Sequence, residues 1–163
     1  VGKKKYSDVE DRMQELLVKL QAMQEEFLNL ADQDAKVFAP LAAAYSLPAS
    51  TEKEKQENAR IMEENLLSAS LVPLHMMEKA AETLELLEVL GEKGSRMAVS
   101  DVGVAVQFAR TALTGAVMNV YINTKSMKNR EKAEELNAKA GVLIENGTKK
   151  ADEIYAKVLE QLV

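Results

Sequence analysis

Apolar residues recur along this chain at steps of three and four, the period that lines up one face of an α-helix. Met13, Leu17, Leu20, Met23, Phe27 and Leu30 form the first such stripe. It continues through Val37, Phe38 and Leu41 to about Ser46, yet position 34, where the pattern asks for an apolar side chain, is Asp34. Ser7 or Asp8 is placed to cap this helix, and the acidic Asp8, Glu10 and Asp11 suit the positive end of its dipole. Pro40 removes a backbone donor and predicts a kink or split near Lys36 to Ala39.

Leu47-Pro48-Ala49-Ser50 is a break, and Thr51 with Glu54 three residues later is a capping box that opens a second helix. Pro73 predicts a kink or restart after Val72. Leu74, Met77, Ala81, Leu84 and Leu87 carry the pattern to Gly91, and residues 91–95 read as a loop. Ser100 and Asp101 head the next helix, Val102 to about Thr124. It is apolar on most faces and is therefore expected to be the central, buried element. Its small residues, among them Gly103, Ala109, Ala112 and Gly115, would let neighbouring helices approach closely. Ser126 is placed to cap a last helix from Lys128 to about Gln161. With no strand-like alternation and no repeat period, the expected fold is all-α: a single-domain multi-helix bundle with one central buried helix.

Composition supports that reading and narrows the chemistry. The chain has 163 residues, enough for one domain with a sizeable core. It is 47% hydrophobic and 29% charged, with 3 Pro and no Trp, which suits helices and excludes disorder as the default. The absence of cysteine excludes a disulfide, a thiolate metal site or a cysteine nucleophile, and a single histidine excludes a polyhistidine metal centre. The net charge of −5 argues against a nucleic-acid partner. The most apolar stretch, Val102 to Ile122, is interrupted by Gln107, Arg110, Thr111, Thr114 and Asn119, so no membrane span is expected. Without a signal-peptide pattern, a soluble cytoplasmic protein is the plain expectation. The eight methionines read as core filler and His75 as a packing or surface residue.

Three groups of residues do not fit a bland bundle. Asp34 is either solvated or capping near the proline, or it is a partly buried carboxylate suited to proton transfer. Asp32 points about 200° away around the helix and serves as its solvent-side control. Asp101, Asn119 and Asn123 share one side of the apolar helix, where they would either cap it and fix a bundle or dimer register, or present hydrogen-bonding groups to a ligand. Lys3, Lys4 and Lys5 form a basic cluster in an acidic chain, and Lys125 and Lys128 follow the asparagines. These are either a solvated charge run or a draw for an anion.

Several blocks together resemble one family. They are GKKKY at the start, LADQDAKVF in the first helix, the Thr-Glu-Lys-Glu helix start, VPL at 72–74, and VSDVGVA followed by GAVMNVYINTKSM. In this order and spacing they are similar to the formiminotetrahydrofolate cyclodeaminase and methenyltetrahydrofolate cyclohydrolase family, over essentially all 163 residues. The resemblance implies an all-helical homodimer with its site in a cleft between subunits, and a folate substrate, in some cases polyglutamylated. It implies no cofactor and no metal. The family's proton acceptor is the second aspartate of a D-x-D-A element, which here is Asp34. The family also begins with a helix carrying a Pro-Gly-Gly-Gly-Ser segment; nothing here matches it, so residues 1–163 are expected to form one domain lacking that Gly-rich helix. Pro40 lies outside the family pattern.

On that resemblance, Asp34 is expected to carry the proton. Ser100, Asp101, Asn119 and Asn123 are expected to hold the pterin edge or orient water, and Lys4, Lys5 and Lys125 to attract the glutamate tail. The competing expectation is a non-catalytic helical module that dimerises through its small-residue helix or binds folate.

Overall fold

The structure, a computed structural model, describes residues 1–2 and 4–163, apart from the side chain of Lys5. Four long helices follow a short 3-10 turn at Lys4–Tyr6: α1 (Glu10–Ala44), α2 (Glu52–Lys93), α3 (Val99–Ser126) and α4 (Arg130–Leu162). A second 3-10 turn, Arg96–Ala98, links α2 to α3. The described residues contain no strand, as the sequence predicts.

Helix ends show where local reading works. Thr51 forms the expected capping box: its hydroxyl accepts from the Glu54 N–H while Glu54 accepts from the N–H groups of Ser50 and Thr51. These bonds hold the Glu54 carboxyl below its ordinary range. The other caps differ from expectation. α1 starts after Val9 without a side-chain cap, so neither Ser7 nor Asp8 fills that role. α3 starts at Val99, which leaves Ser100 and Asp101 inside the first turn. Asn129, not Ser126, caps α4 by accepting from the Lys132 N–H.

Two corrections concern the helices themselves. α1 runs unbroken through Pro40 and α2 unbroken through Pro73, so neither proline splits its helix. The central element is α2, which packs against α1, α3 and α4. α3 buries only one side, through Val106, Leu113, Val117 and Val120 against α2 and α4, and leaves the other open. Three helices are too few to surround a fourth of similar length, and the longest takes the centre.

The core divides into clusters along α2. Met77, Ala80, Leu113, Val120 and Leu136 form the middle one; Leu84, Val106, Ile154 and Val158 form one toward the α2–α3 turn; Leu16, Met23 and Leu86 join α1. α3 and α4 come close through glycines. A Cβ on Gly147 would lie 2.4 Å from Leu113 Cδ2, and one on Gly103 would lie 2.9 Å from Val158 Cγ1. Of the small residues expected to allow such contact, Gly103 does, whereas Ala112 and Gly115 face outward. Met23, Met77 and Met127 fill core as expected, but Met97 and Met118 are exposed.

Candidate active site

The antiparallel packing of α1 on α2 fixes the level of Asp34. Glu26 lies 3.4 Å from both His75 and Lys79, and Leu41 joins the cluster of Leu66 and Ala69. Asp34, midway between Glu26 and Leu41, is thereby level with the turn of α2 from Ala69 to Pro73. It is half-buried while Asp32 is exposed, as the stripe predicts. Its carboxylate has no hydrogen bond or ion pair with another described residue. A half-buried carboxylate without a partner keeps its acceptor positions free for a ligand or water.

The same turn of α2 holds Asn123. Pro73 lacks the N–H that would bond the Ala69 carbonyl four residues back, and its ring pushes that carbonyl outward. Asn123 Nδ2 donates to the Ala69 oxygen at 2.9 Å. One turn earlier, Ser70 adds a second hydroxyl bond to the Leu66 carbonyl at 2.7 Å. Asn123 therefore already has a structural partner, whereas Asn119 is exposed and makes no side-chain hydrogen bond among the described residues. α1 and α3 thus meet α2 at one level, carrying Asp34 and the two asparagines, with the exposed Lys125 half a turn on.

The remaining predicted residues sit at the other end of the bundle. Asp101 is separated from Asn123 by 22 residues of α3, about 33 Å along the axis. It is exposed at the edge of an apolar groove of about 410 Å³ that Leu20, Thr83, Leu87 and Ala105 also line. Ser100 borders a different groove of about 410 Å³, between α3 and α4, with Phe108, Tyr155 and Leu162. Lys4 is exposed in the N-terminal turn; its neighbours Val1 and Tyr6 pack beside Lys93 and Gly94 at this same end. The Lys5 side chain lies outside the described residues. Within one chain, then, Asp34 on α1 and Asn119, Asn123 and Lys125 on α3 lie near the level of the middle of α2, and Lys4, Ser100 and Asp101 lie toward the α2–α3 turn.

A polar groove of about 340 Å³ lies where α1 meets α2, lined by Glu25, Glu26, Asn29, Gln33 and His75 but not by Asp34. Lys79 next to it has its ammonium pKa raised by the hydrogen bond to Glu82, with Glu26 adding to the effect. Among the described residues no group of three acidic, histidine or cysteine side chains could hold a metal ion, and no helix is long and apolar enough to cross a membrane. The periodicity also conceals the open face of α3. Phe108, Met118 and Ile122 read as core by hydropathy and are exposed. The available signal was that α3 is apolar all round in a chain with too few helices to cover it.

The chain is similar to several known proteins. The family model described as formiminotransferase-cyclodeaminase matches residues 1–141. A methenyltetrahydrofolate cyclohydrolase from Methylorubrum extorquens is 36% identical over 148 residues, covering 90% of this chain and 71% of that protein. A formimidoyltransferase-cyclodeaminase from Mus musculus is 31% identical over 126 residues, covering 77% of this chain but 23% of that longer protein. The crystal structure of formiminotetrahydrofolate cyclodeaminase from Thermotoga maritima shares the fold, with a TM-score of 0.77 over 99% of this chain and 74% of its own, at 24% identity. The chain belongs to the formiminotransferase-cyclodeaminase family.

Proposed function

We propose that this chain is a cytoplasmic folate one-carbon enzyme that makes or opens 5,10-methenyltetrahydrofolate, with Asp34 as its proton carrier, working as a homodimer. The observation that carries the reading is the half-buried, unpartnered carboxylate of Asp34, level with Asn119 and Asn123 across α2. The 36% identity to a methenyltetrahydrofolate cyclohydrolase supports the substrate class.

Two reactions fit one carboxylate. In ring opening, water adds to the cationic methenyl carbon between N5 and N10, the bond from carbon to N5 breaks, and 10-formyltetrahydrofolate remains. A base takes one proton from water, an acid delivers one to N5, and the remaining hydroxyl proton leaves to solvent as the formyl carbonyl forms. In ring closure, N10 attacks the formimino carbon carried on N5 and the former imino nitrogen leaves as ammonia. The base takes the N10 proton and returns it to the departing nitrogen. Both pass through a tetrahedral carbon flanked by nitrogens, and a single positioned carboxylate can serve each proton transfer. Neither reaction calls for a redox cofactor or a metal.

Asn119, exposed and unengaged, is the better placed asparagine for hydrogen bonding to the pterin edge; Asn123 keeps only its carbonyl and one N–H for that task. Ser100 and Asp101, about 33 Å along α3 from Asn123, would join this set only from the second subunit of the proposed homodimer. Lys125 and Lys4, both exposed, would draw the glutamate tail of a mono- or polyglutamylated folate, an attraction that weakens with salt. Absorbance-monitored turnover of 5,10-methenyltetrahydrofolate and of 5-formiminotetrahydrofolate tests the proposal. Asp34→Asn should lower kcat by roughly 10²- to 10⁴-fold with KM little changed, and full turnover by this variant would overturn the assignment.

A further inference from the structure

Two side chains at the level of Ala69 have open acceptor positions. The Asp34 carboxylate bonds no other described residue, and the Asn123 side chain makes one hydrogen bond, through Nδ2, which leaves its Oδ1 free. Among the described residues no side-chain nitrogen or oxygen is both buried and without a partner. Both acceptors therefore reach solvent, although each side chain is half-buried. An amide engaged at one end differs from a loose surface asparagine, because its orientation is fixed. Only the NH2 end can approach a carbonyl, so the bond to Ala69 turns Oδ1 away from that carbonyl.

That orientation depends on Pro73. In a regular helix the N–H of residue 73 would take the Ala69 carbonyl and hold it along the axis. Proline has no N–H, and its ring tips the carbonyl outward, where Asn123 of α3 meets it. The backbone that carries Asn123 is held by other bonds. Thr124, fully buried, donates to Asn137 Oδ1 at 2.7 Å. Arg130 donates to the carbonyls of Thr124 and Met127 at 2.9 and 3.2 Å. Glu63 accepts from the N–H groups of Lys128 and Asn129 at 2.7 and 2.9 Å. These bonds keep the last turn of α3 on α2 and α4 without help from position 73. What Pro73 controls is the rotamer of one side chain.

We infer that Pro73 is a positioning residue: by freeing the Ala69 carbonyl it locks the Asn123 amide with its oxygen presented to solvent at the level of Asp34. An oxygen held in this way accepts and cannot be exchanged for a donor. On the reading that the site takes a folate, on which this role rests, the Asn123 oxygen and the Asp34 carboxylate are acceptors for a ring edge rich in N–H groups. The cyclic amide N–H and the neighbouring amino group of a pterin form such an edge. The two asparagines then divide the task. Asn123 meets the ligand with its orientation already set, whereas Asn119, exposed and unbonded among the described residues, can turn either way. Restoring an N–H at position 73 returns the Ala69 carbonyl to its own helix, and Asn123 must then be ordered afresh each time the ligand binds.

Pro73→Ala and Pro73→Val both supply that N–H, the second with a bulkier side chain in place of the ring. Each should raise KM for 5,10-methenyltetrahydrofolate by about three- to tenfold, the range of one neutral hydrogen bond. Neither should change kcat by more than about twofold. In an Asn123→Ala background the same changes should leave KM where Asn123→Ala alone puts it. A merely structural proline would lower kcat with the fraction of folded protein, and its effect would persist without Asn123. A rise in KM confined to Pro73→Ala traces to packing. That result, or an unchanged KM in both variants, overturns the positioning role and leaves the proposed reaction standing. The side-chain amide of Asn123 gives a measure that needs no substrate. Its NH2 resonances, identified by their loss in Asn123→Ala, should exchange slowly with solvent in the parent and quickly in Pro73→Ala. Fast exchange in both would again overturn the role. Equilibrium binding of 5-formyltetrahydrofolate separates the two ideas. If the parent binds this probe but turns over neither substrate, the proposed reaction falls, and a similar loss of affinity in Pro73→Ala upholds the positioning role. A parent that binds no folate overturns both.

Discussion

α1 and α2 each carry a proline inside a helix, and each stays continuous by different means. Pro40 is exposed, four residues from the end of α1, and the Lys36 residue whose carbonyl loses its partner is exposed as well. Water can take that carbonyl. Pro73 is fully buried in the middle of α2, the helix that touches every other, and water cannot reach the Ala69 carbonyl on the same terms. There Asn123, from α3, provides the missing N–H. The difference shows that a proline's cost is set by where its orphaned carbonyl points. It also shows why an asparagine on an apolar helix need not be a ligand group.

The sharpest way to break this comparison is to remove the substitute donor. Asn123→Ala leaves the Ala69 carbonyl inside the bundle without its partner and should cost about 1–3 kcal/mol. In a Pro73→Ala background the new backbone N–H takes that carbonyl, so the same asparagine change should cost less, with a coupling of about 1 kcal/mol. Urea unfolding of the four proteins measures this directly. Strict additivity would mean that Asn123 does not act on behalf of the proline.

The exposed proline should behave in the opposite sense. Pro40→Ala adds the hydrogen bond to Lys36 and a better helix former, against a looser unfolded chain. Being near the helix end, it should gain about 1 kcal/mol, a rise in Tm of roughly 3 °C for a chain of this size. A loss of stability would show that the ring, and not the helix around it, is what this position needs.

The contrast between the prolines also marks the limit of what could be read from residues alone. Periodicity was enough for the all-α fold, and the Thr51–Glu54 box was legible because both partners lie within four residues. The half-burial of Asp34 was legible for the same reason, since its own helix defines the stripe it interrupts, whereas its proton-carrying role is implied only by the family resemblance. The partner of Pro73 was not, since Asn123 is fifty residues away in sequence and is brought there by packing. Position alone made Ser126 as good a cap as Asn129, and the choice fell to the corner where Glu63 of α2 accepts from the N–H groups of Lys128 and Asn129. Hydropathy could not separate the two faces of α3, because Val106 and Leu113 on the buried side and Phe108 and Ile122 on the open side differ only in what lies opposite. The separation of Asp101 from Asp34 was hidden because they lie on different helices, α3 and α1, and only the packing of both on α2 fixes how they are offset.

The smallest effect is expected where α2 meets α4. α1 is tied to α2 through Glu26, at 3.4 Å from His75 and Lys79, whereas Lys150 of α4 donates to Glu85 and Glu88 at 2.9 Å and Lys157 adds a longer contact with Glu88. The hydrogen bond from Lys150 holds the Glu88 carboxyl below its ordinary value of 4.5, and the two glutamates raise the Lys150 ammonium. A depressed carboxyl pKa stabilises the fold above the unfolded value and ceases to do so as pH falls through the folded one. Glu88→Gln should therefore lower stability at pH 7 by less than about 1 kcal/mol, since both side chains are partly in water. Its acid limb below about pH 4.5 should be shallower than that of the parent. Lys150→Met should remove the same slope. If urea midpoints taken between pH 3 and pH 7 fall in parallel for parent and variant, the α2–α4 ion pair contributes nothing, and burial alone distinguishes the central helix from the outer one.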